Sequence, residues 1–215
     1  MTSNIRDGRI RAPQQRQIER TNQIIDCMES LVKQKEINDI SLSEISELTG
    51  IALPSIYYHF PNKNSILIAL TERIHEQWRS NIRSKLSSEP VSWQTLIFQI
   101  IRAGADFLNH NSFVPKLILS STSPIETRSV DASQNANLAI AIMDRMDQTY
   151  EGINKQLYTD KMIIAMYILD GIWQNAFFQY NHIPESIIKE AQKAIIAYLR
   201  CYFPDTFPYK VKIEA

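Results

Sequence analysis

TGIALPSIYYHF (Thr49–Phe60) places a glycine, a proline, two adjacent tyrosines and a histidine within twelve residues. Such a stretch could hold a metal, fill a core, or present a short aromatic helix outward. Its flanks decide between these. Upstream, SLSE (Ser41–Glu44) fits a capping box, in which Ser41 accepts from the third helical amide and Glu44 reaches back. A short helix follows, with Leu42, Ile45 and Leu48 expected inward. Gly50 ends it, because a left-handed residue after a helix is cheapest as glycine. A second short helix starts near Leu53 or Pro54, since proline is tolerated in a first turn. Pro61 stops it near Phe60. Ile56 and Phe60 lie four apart on one face and pack inward. Tyr57, Tyr58 and His59 then point elsewhere.

Working outward, Arg16–Gln34 carries a helical apolar stripe of Ile18, Ile24, Ile25, Met28, Leu31 and Val32. Further helical patterns run from about Asn64 to Ser84, Ser92 to Asn109, Ala132 to Asn154, Asp160 to Tyr180 and Pro184 to Tyr202, with a short one at Pro115–Ser120. Ser120–Ser129 is a loop by composition. Strand-like alternation with turn punctuation does not occur, so the chain reads as all-α. Ser87–Pro90 breaks the pattern and is the expected seam. The organisation is a basic arm (1–15), a helix-turn-helix domain (16–62), a connecting helix (63–85), a larger helical domain (86–204) and a tail (205–215).

The 215 residues suffice for a sizeable core. Apolar content is 44% and charged content 21%, against disorder of the bulk. Net charge is 0, but its distribution is uneven. Residues 1–24 carry five arginines (Arg6, Arg9, Arg11, Arg16, Arg20) against Asp7 and Glu19. From Leu86 onward there are 11 basic and 13 acidic residues. A basic arm on a neutral body and a solvated, frayed terminus both fit. Cys27 and Cys201 do not make a disulfide framework, and a reducing cytoplasm is the expected compartment. Neither a signal peptide nor an uninterrupted apolar run of about 18 residues is present, so no membrane partner is expected. The four histidines are scattered, so no metal is expected, and no cofactor. No nucleophile–base spacing or phosphate loop points to an enzyme.

Residues 42–60 have the layout of a helix-turn-helix, whose second helix enters the major groove of double-stranded DNA. SLSEISELTGIALPSIYYHFPNKNSILIAL (Ser41–Leu70) resembles the DNA-binding region of TetR-type transcriptional regulators. The resemblance implies a ligand-responsive homodimer, usually a repressor, on a palindromic operator. It implies that Leu53, Pro54 and Ser55 face bases and that Tyr57, Tyr58 and His59 meet bases or backbone. It implies phosphate contacts for Lys63, Ser41 and Ser43. His59 reads equally as a packing residue. Two positions depart from the family pattern: Ala52 offers no capping side chain, and Leu53 is apolar where a polar residue is frequent. Leu53 can meet a thymine methyl but not hydrogen-bond a base, so readout leans on shape and backbone.

In Asp160–Asn181 a helical wheel puts Met162, Met166, Leu169, Trp173, Phe177 and Tyr180 on one side. Ile164, Ile168, Asn175 and Phe178 fall roughly opposite, with Gly171 near them. A helix apolar on both sides is buried on both, so the second side wants a partner. With Ile188, Ala191, Ile195 and Tyr198 of the last helix, it forms the expected homodimer interface. Asp170 falls on the inward side among rings. It either lines an effector pocket or is paired to a neighbouring element. Trp78, Phe98, Ile101, Phe107, Phe113, Met166, Tyr167, Trp173 and Phe177 are the pool of pocket walls, suiting a small, mostly apolar effector. An all-helical enzyme and a protein-binding adaptor are the competing readings.

Overall fold

The computed structural model describes residues 7–86, 92–119 and 125–210, with side chains from Gln14 onward. Among these residues all regular structure is helical: α1 (Asp7–Gln34), α2 (Leu42–Thr49), α3 (Leu53–His59), α4 (Lys63–Lys85), α5 (Trp93–His110), α6 (Val114–Ile118), α7 (Ile125–Thr149), α8 (Lys155–Tyr180) and α9 (Glu185–Arg200), with one 3₁₀ turn at Ile37–Asp39. Tyr150 and Tyr209 form one isolated β-bridge.

The chain divides into two compact units, one ending at Glu72 and one beginning at Arg73. The boundary falls inside α4, not at the sequence break after α4; Ser87–Pro90 lies outside the described residues. In the first unit Ile24, Met28, Val32, Ile45, Ile56, Ile66, Leu67 and Leu70 form a sealed core. α1 begins at Asp7, so the part of the expected arm after Arg6 is helical. Leu48 is 63% exposed and Ile18 50%, against the inward positions expected for both. A two-turn helix has one covered face, which Ile45 occupies, and Ile18 precedes the first buried turn of α1.

In the second unit α8 packs between α7 and α9, and α5 packs on α9. α7 starts at Ile125, so the second half of the expected 120–129 loop is helical. Ser92 caps α5 by accepting from the Thr95 amide at 3.1 Å. The expected tail is anchored. Trp93 Nε1 donates to Pro204 O (3.0 Å), the Glu151 amide to Pro208 O (2.8 Å), and the Lys210 amide to Thr149 O (3.0 Å). Phe203 and Phe207 are buried against these contacts.

Candidate nucleic-acid interface

The α2–α3 turn is built from backbone economy. The Ser41 side chain accepts from the Glu44 amide at 3.2 Å, completing half of the capping box. Glu44 does not reach back; its carboxylate takes the Lys35 ammonium at 2.7 and 2.5 Å. Gly50 closes α2 with φ 68°, and its amide donates to Ser46 O at 3.0 Å. Ser46 Oγ donates to Ile51 O at 2.7 Å and fixes the chain's entry into α3. Ala52 caps α3 with no side-chain hydrogen bond, as its composition requires.

On α3, Ile56 is 0% exposed and Phe60 7%, whereas Tyr57 is 51% and Tyr58 79% exposed. Seven residues of helix therefore carry one sealed face and one bare aromatic face. His59 belongs to both. Its Nδ1 lies 3.2 Å from Thr21 Oγ1 on α1, and its ring meets Tyr58 edge-on at 5.5 Å. Thr21, which no motif marks, is thus the anchor of the aromatic face. Ser41, Ser43 and Pro54 are exposed, and Leu53 and Ser55 half-buried. Lys63 stands apart from its expected role. Its ammonium donates to the carbonyls of Ile37 (2.9 Å), Asn38 (3.3 Å) and Ile40 (3.1 Å), and so closes the 3₁₀ turn. Of the basic arm, Arg16 and Arg20 are exposed; Arg6 and the side chains of Arg9 and Arg11 lie outside the described residues.

Residues 24–70 match the family model of bacterial regulatory proteins of the tetR family. That match takes in α2 and α3 with parts of α1 and α4. The regulator EthR of Mycobacterium tuberculosis is 32% identical over 54 residues, 25% of each chain. TtgR of Pseudomonas putida is 32% identical over 69 residues, 32% of this chain and 33% of that one. The matches thus span at most about a third of these relatives' length. Across the whole chain the fold is shared with a multidrug binding protein, EbrR, solved with imidazole (TM-score 0.67, 19% identity, 87% of this chain and 93% of that one). It is shared also with a fatty acid degradation regulator, FadR, of Bacillus halodurans (TM-score 0.60, 19% identity, 81% and 93%).

The C-terminal unit places the expected pocket and interface residues differently. Trp78, Ile101, Phe107, Phe113, Met166 and Trp173 are buried, but they pack on one another. Trp78 stacks on Phe107 and tilts against Trp173, both at 6.4 Å. Phe98 and Tyr167 are 40% and 49% exposed and line no interior. Phe177 lines a surface groove of 480 Å³ between α6 and α8, together with Gly171, Asn175 and Phe178 from the expected interface. On α8 Met162, Met166, Leu169 and Trp173 are buried, whereas Ile164 is 41% and Phe178 91% exposed, and Tyr180, expected inward, is 48% exposed. On α9 three of the expected interface residues are covered. Ile188, Ala191 and Ile195 are 2% exposed or less, because they face α5 and α8 of their own chain. Tyr198 is half-buried and meets Tyr202 edge-on.

Asp170 does face inward, and sequence reasoning missed its company. Asn135 Nδ2 on α7 donates to Asp170 Oδ2 at 2.5 Å. One helical turn before Asn135, Asp131 places Oδ1 2.9 Å from His75 Nε2 on α4. Burial, then the nearby Asp131 charge, push the Asp170 carboxyl up to about 8 against the pull of the Asn135 bond. The four-residue spacing of Asp131 and Asn135 was the available signal.

Proposed function

We propose that the chain is a homodimeric transcriptional regulator that represses by occupying a palindromic operator and leaves it when a small molecule binds. The observation that carries this reading is α3: two phenols bare on a helix whose opposite face is sealed. Exposed aromatic area of this kind is stabilised when it meets sugar, phosphate and thymine methyls in a groove. In that pose Leu53, Pro54 and Ser55 face base edges, and the Tyr57 and Tyr58 hydroxyls donate to phosphates. Ser41 and Ser43 lie beside the amides at the start of α2, where a phosphate is favoured.

Homodimerisation supplies the second half-site, about 34–36 Å away along the duplex. The α8 face of Ile164, Gly171, Asn175 and Phe178 supports it, since an apolar patch of this kind marks an interaction surface. Effector release requires a ligand that prefers the protein state DNA does not. α4 runs unbroken from the first unit into the second and is the natural carrier of that preference.

A mobility-shift titration with the DNA flanking the chain's own gene tests the reading. Specific retardation that weakens steeply with salt is expected. Replacing Tyr57 and Tyr58 together by alanine abolishes it while the molecular mass in solution stays that of the parent. Retardation unchanged in the double variant overturns the reading.

A further inference from the structure

α1 meets the end of α3 through a hydrogen bond that the helix-turn-helix layout does not require. Among the described side chains of α1, Thr21 is the first that the rest of the protein partly covers. It stands one turn before the sealed Ile24 and Ile25, so its backbone is held in place. A threonine inside a helix can return its hydroxyl to the carbonyl four residues back. Thr71 does so to Leu67 O (2.8 Å) and Thr159 to Lys155 O (2.7 Å). Thr21 Oγ1 lies instead 3.2 Å from His59 Nδ1, 38 residues along the chain. Its hydroxyl hydrogen is therefore available to the ring nitrogen.

The consequence falls on the other ring nitrogen. When Nδ1 of a neutral imidazole accepts, the ring proton sits on Nε2. Among the described residues nothing bonds His59 Nε2, and the shape of the ring directs it away from the Thr21 hydroxyl. The same ring carries Tyr58. The two meet edge-on, with centroids 5.5 Å apart and planes at 85°, and this is the one ring contact that the exposed phenol has among the described residues. An imidazole free to turn over about its last torsion would exchange Nδ1 for carbon and aim neither group. One hydroxyl on α1 thus fixes two groups on the bare end of α3. We propose that Thr21 is a positioning residue for DNA: its hydroxyl holds His59 with Nε2–H turned outward as a donor to a backbone phosphate, and steadies Tyr58 through the His59 ring. This rests on reading α3 as the groove-facing helix. An N–H donor to an anionic oxygen makes a charge-assisted bond, and a donor fixed beforehand loses little side-chain freedom when that bond forms. Phosphates are present whatever the base sequence, so Thr21 acts on affinity and not on base preference.

The test joins nuclear magnetic resonance to mobility shift, both on the full chain. At about pH 8, where an ordinary imidazole is neutral, long-range proton–nitrogen correlation should show His59 Nδ1 as a hydrogen-bonded acceptor and Nε2 protonated. Loss of these signals in His59→Gln assigns them. Thr21→Val keeps the side-chain shape without the hydroxyl, and there the Nδ1 resonance should move to that of an unbonded acceptor. Retardation of the DNA flanking the chain's own gene should weaken about three- to tenfold in the same variant. Thr21→Ser keeps the hydroxyl and should bind within about twofold of the parent. In a His59→Ala background Thr21→Val should change nothing further, because the hydroxyl acts only through the ring. A protonated Nδ1 in the parent, unchanged retardation in Thr21→Val, or an equal loss with and without His59 overturns the proposal; the parent spectrum decides even where a variant does not fold. A parent that retards no DNA sinks the regulator reading and the phosphate role with it, whereas retardation that Thr21→Val leaves intact sinks the role of Thr21 alone.

Discussion

Gly104 and Trp173 show how little slack the second unit has at single positions. A Cβ added at Gly104 would stand 2.5 Å from Trp173 Cη2 and 3.4 Å from Trp78 Cζ2. Neither indole is the end of a flexible chain, so Gly104→Ala should destabilise by about 1–3 kcal/mol, read as a lower urea midpoint with an unchanged m-value. Asp170 makes the complementary case for charge. Its folded carboxyl titrates at about 8 against the ordinary 3.8, so the native state holds a proton that the unfolded chain has lost. Its contribution is fully present below about pH 4 and lost as pH rises through about 8. Asp170→Asn removes the titration. Its unfolding free energy relative to the parent's, from urea denaturation, should rise from pH 5 to pH 8 by a margin on the order of 1–3 kcal/mol. A pH-independent difference would mean that Asp170 does not hold the proton.

At the scale of elements, α2 and α3 were legible because local rules fix them. Ser41, Gly50, Pro54 and Pro61 act through backbone geometry, and the helices begin and end where those residues require. The same rules cannot say which side of a two-turn helix is covered, and Leu48 is bare for that reason. Lys63 is the sharper lesson. A lysine two residues after a proline reads as a free charge, yet its three donors hold the carbonyls of the 37–40 turn. Lys63→Ala should therefore cost about 1–3 kcal/mol of stability, measured by urea denaturation, for leaving those acceptors unmet. The salt dependence of DNA retardation should keep its slope; a slope smaller by about one unit would show that the ammonium reaches a phosphate instead.

For the molecule as a whole, the proposed homodimer rests on α8. Phe178, 91% exposed, and Ile164 sit on the face that α7 and α9 leave bare. Ile164→Asp with Phe178→Asp should leave the fold intact, since neither residue is in the core, and should halve the mass in sedimentation equilibrium. Retardation should weaken with it, because a single half-site forfeits the linked second one. An unchanged mass would place any self-association elsewhere.

By itself the sequence determined the helical class, the capped turn at 41–60 and the outward tyrosines. Each follows from periodicity or from a residue with restricted backbone freedom, and these act over a few residues. The tertiary structure decided what long-range packing alone can decide. It turned Ile188, Ala191 and Ile195 toward their own chain, because an apolar face takes whichever neighbour the topology brings. It closed the aromatic pool into a core. It also gathered His75, Asp131, Asn135 and Asp170 from three helices, and no local pattern encodes which charges meet across nearly a hundred residues of chain.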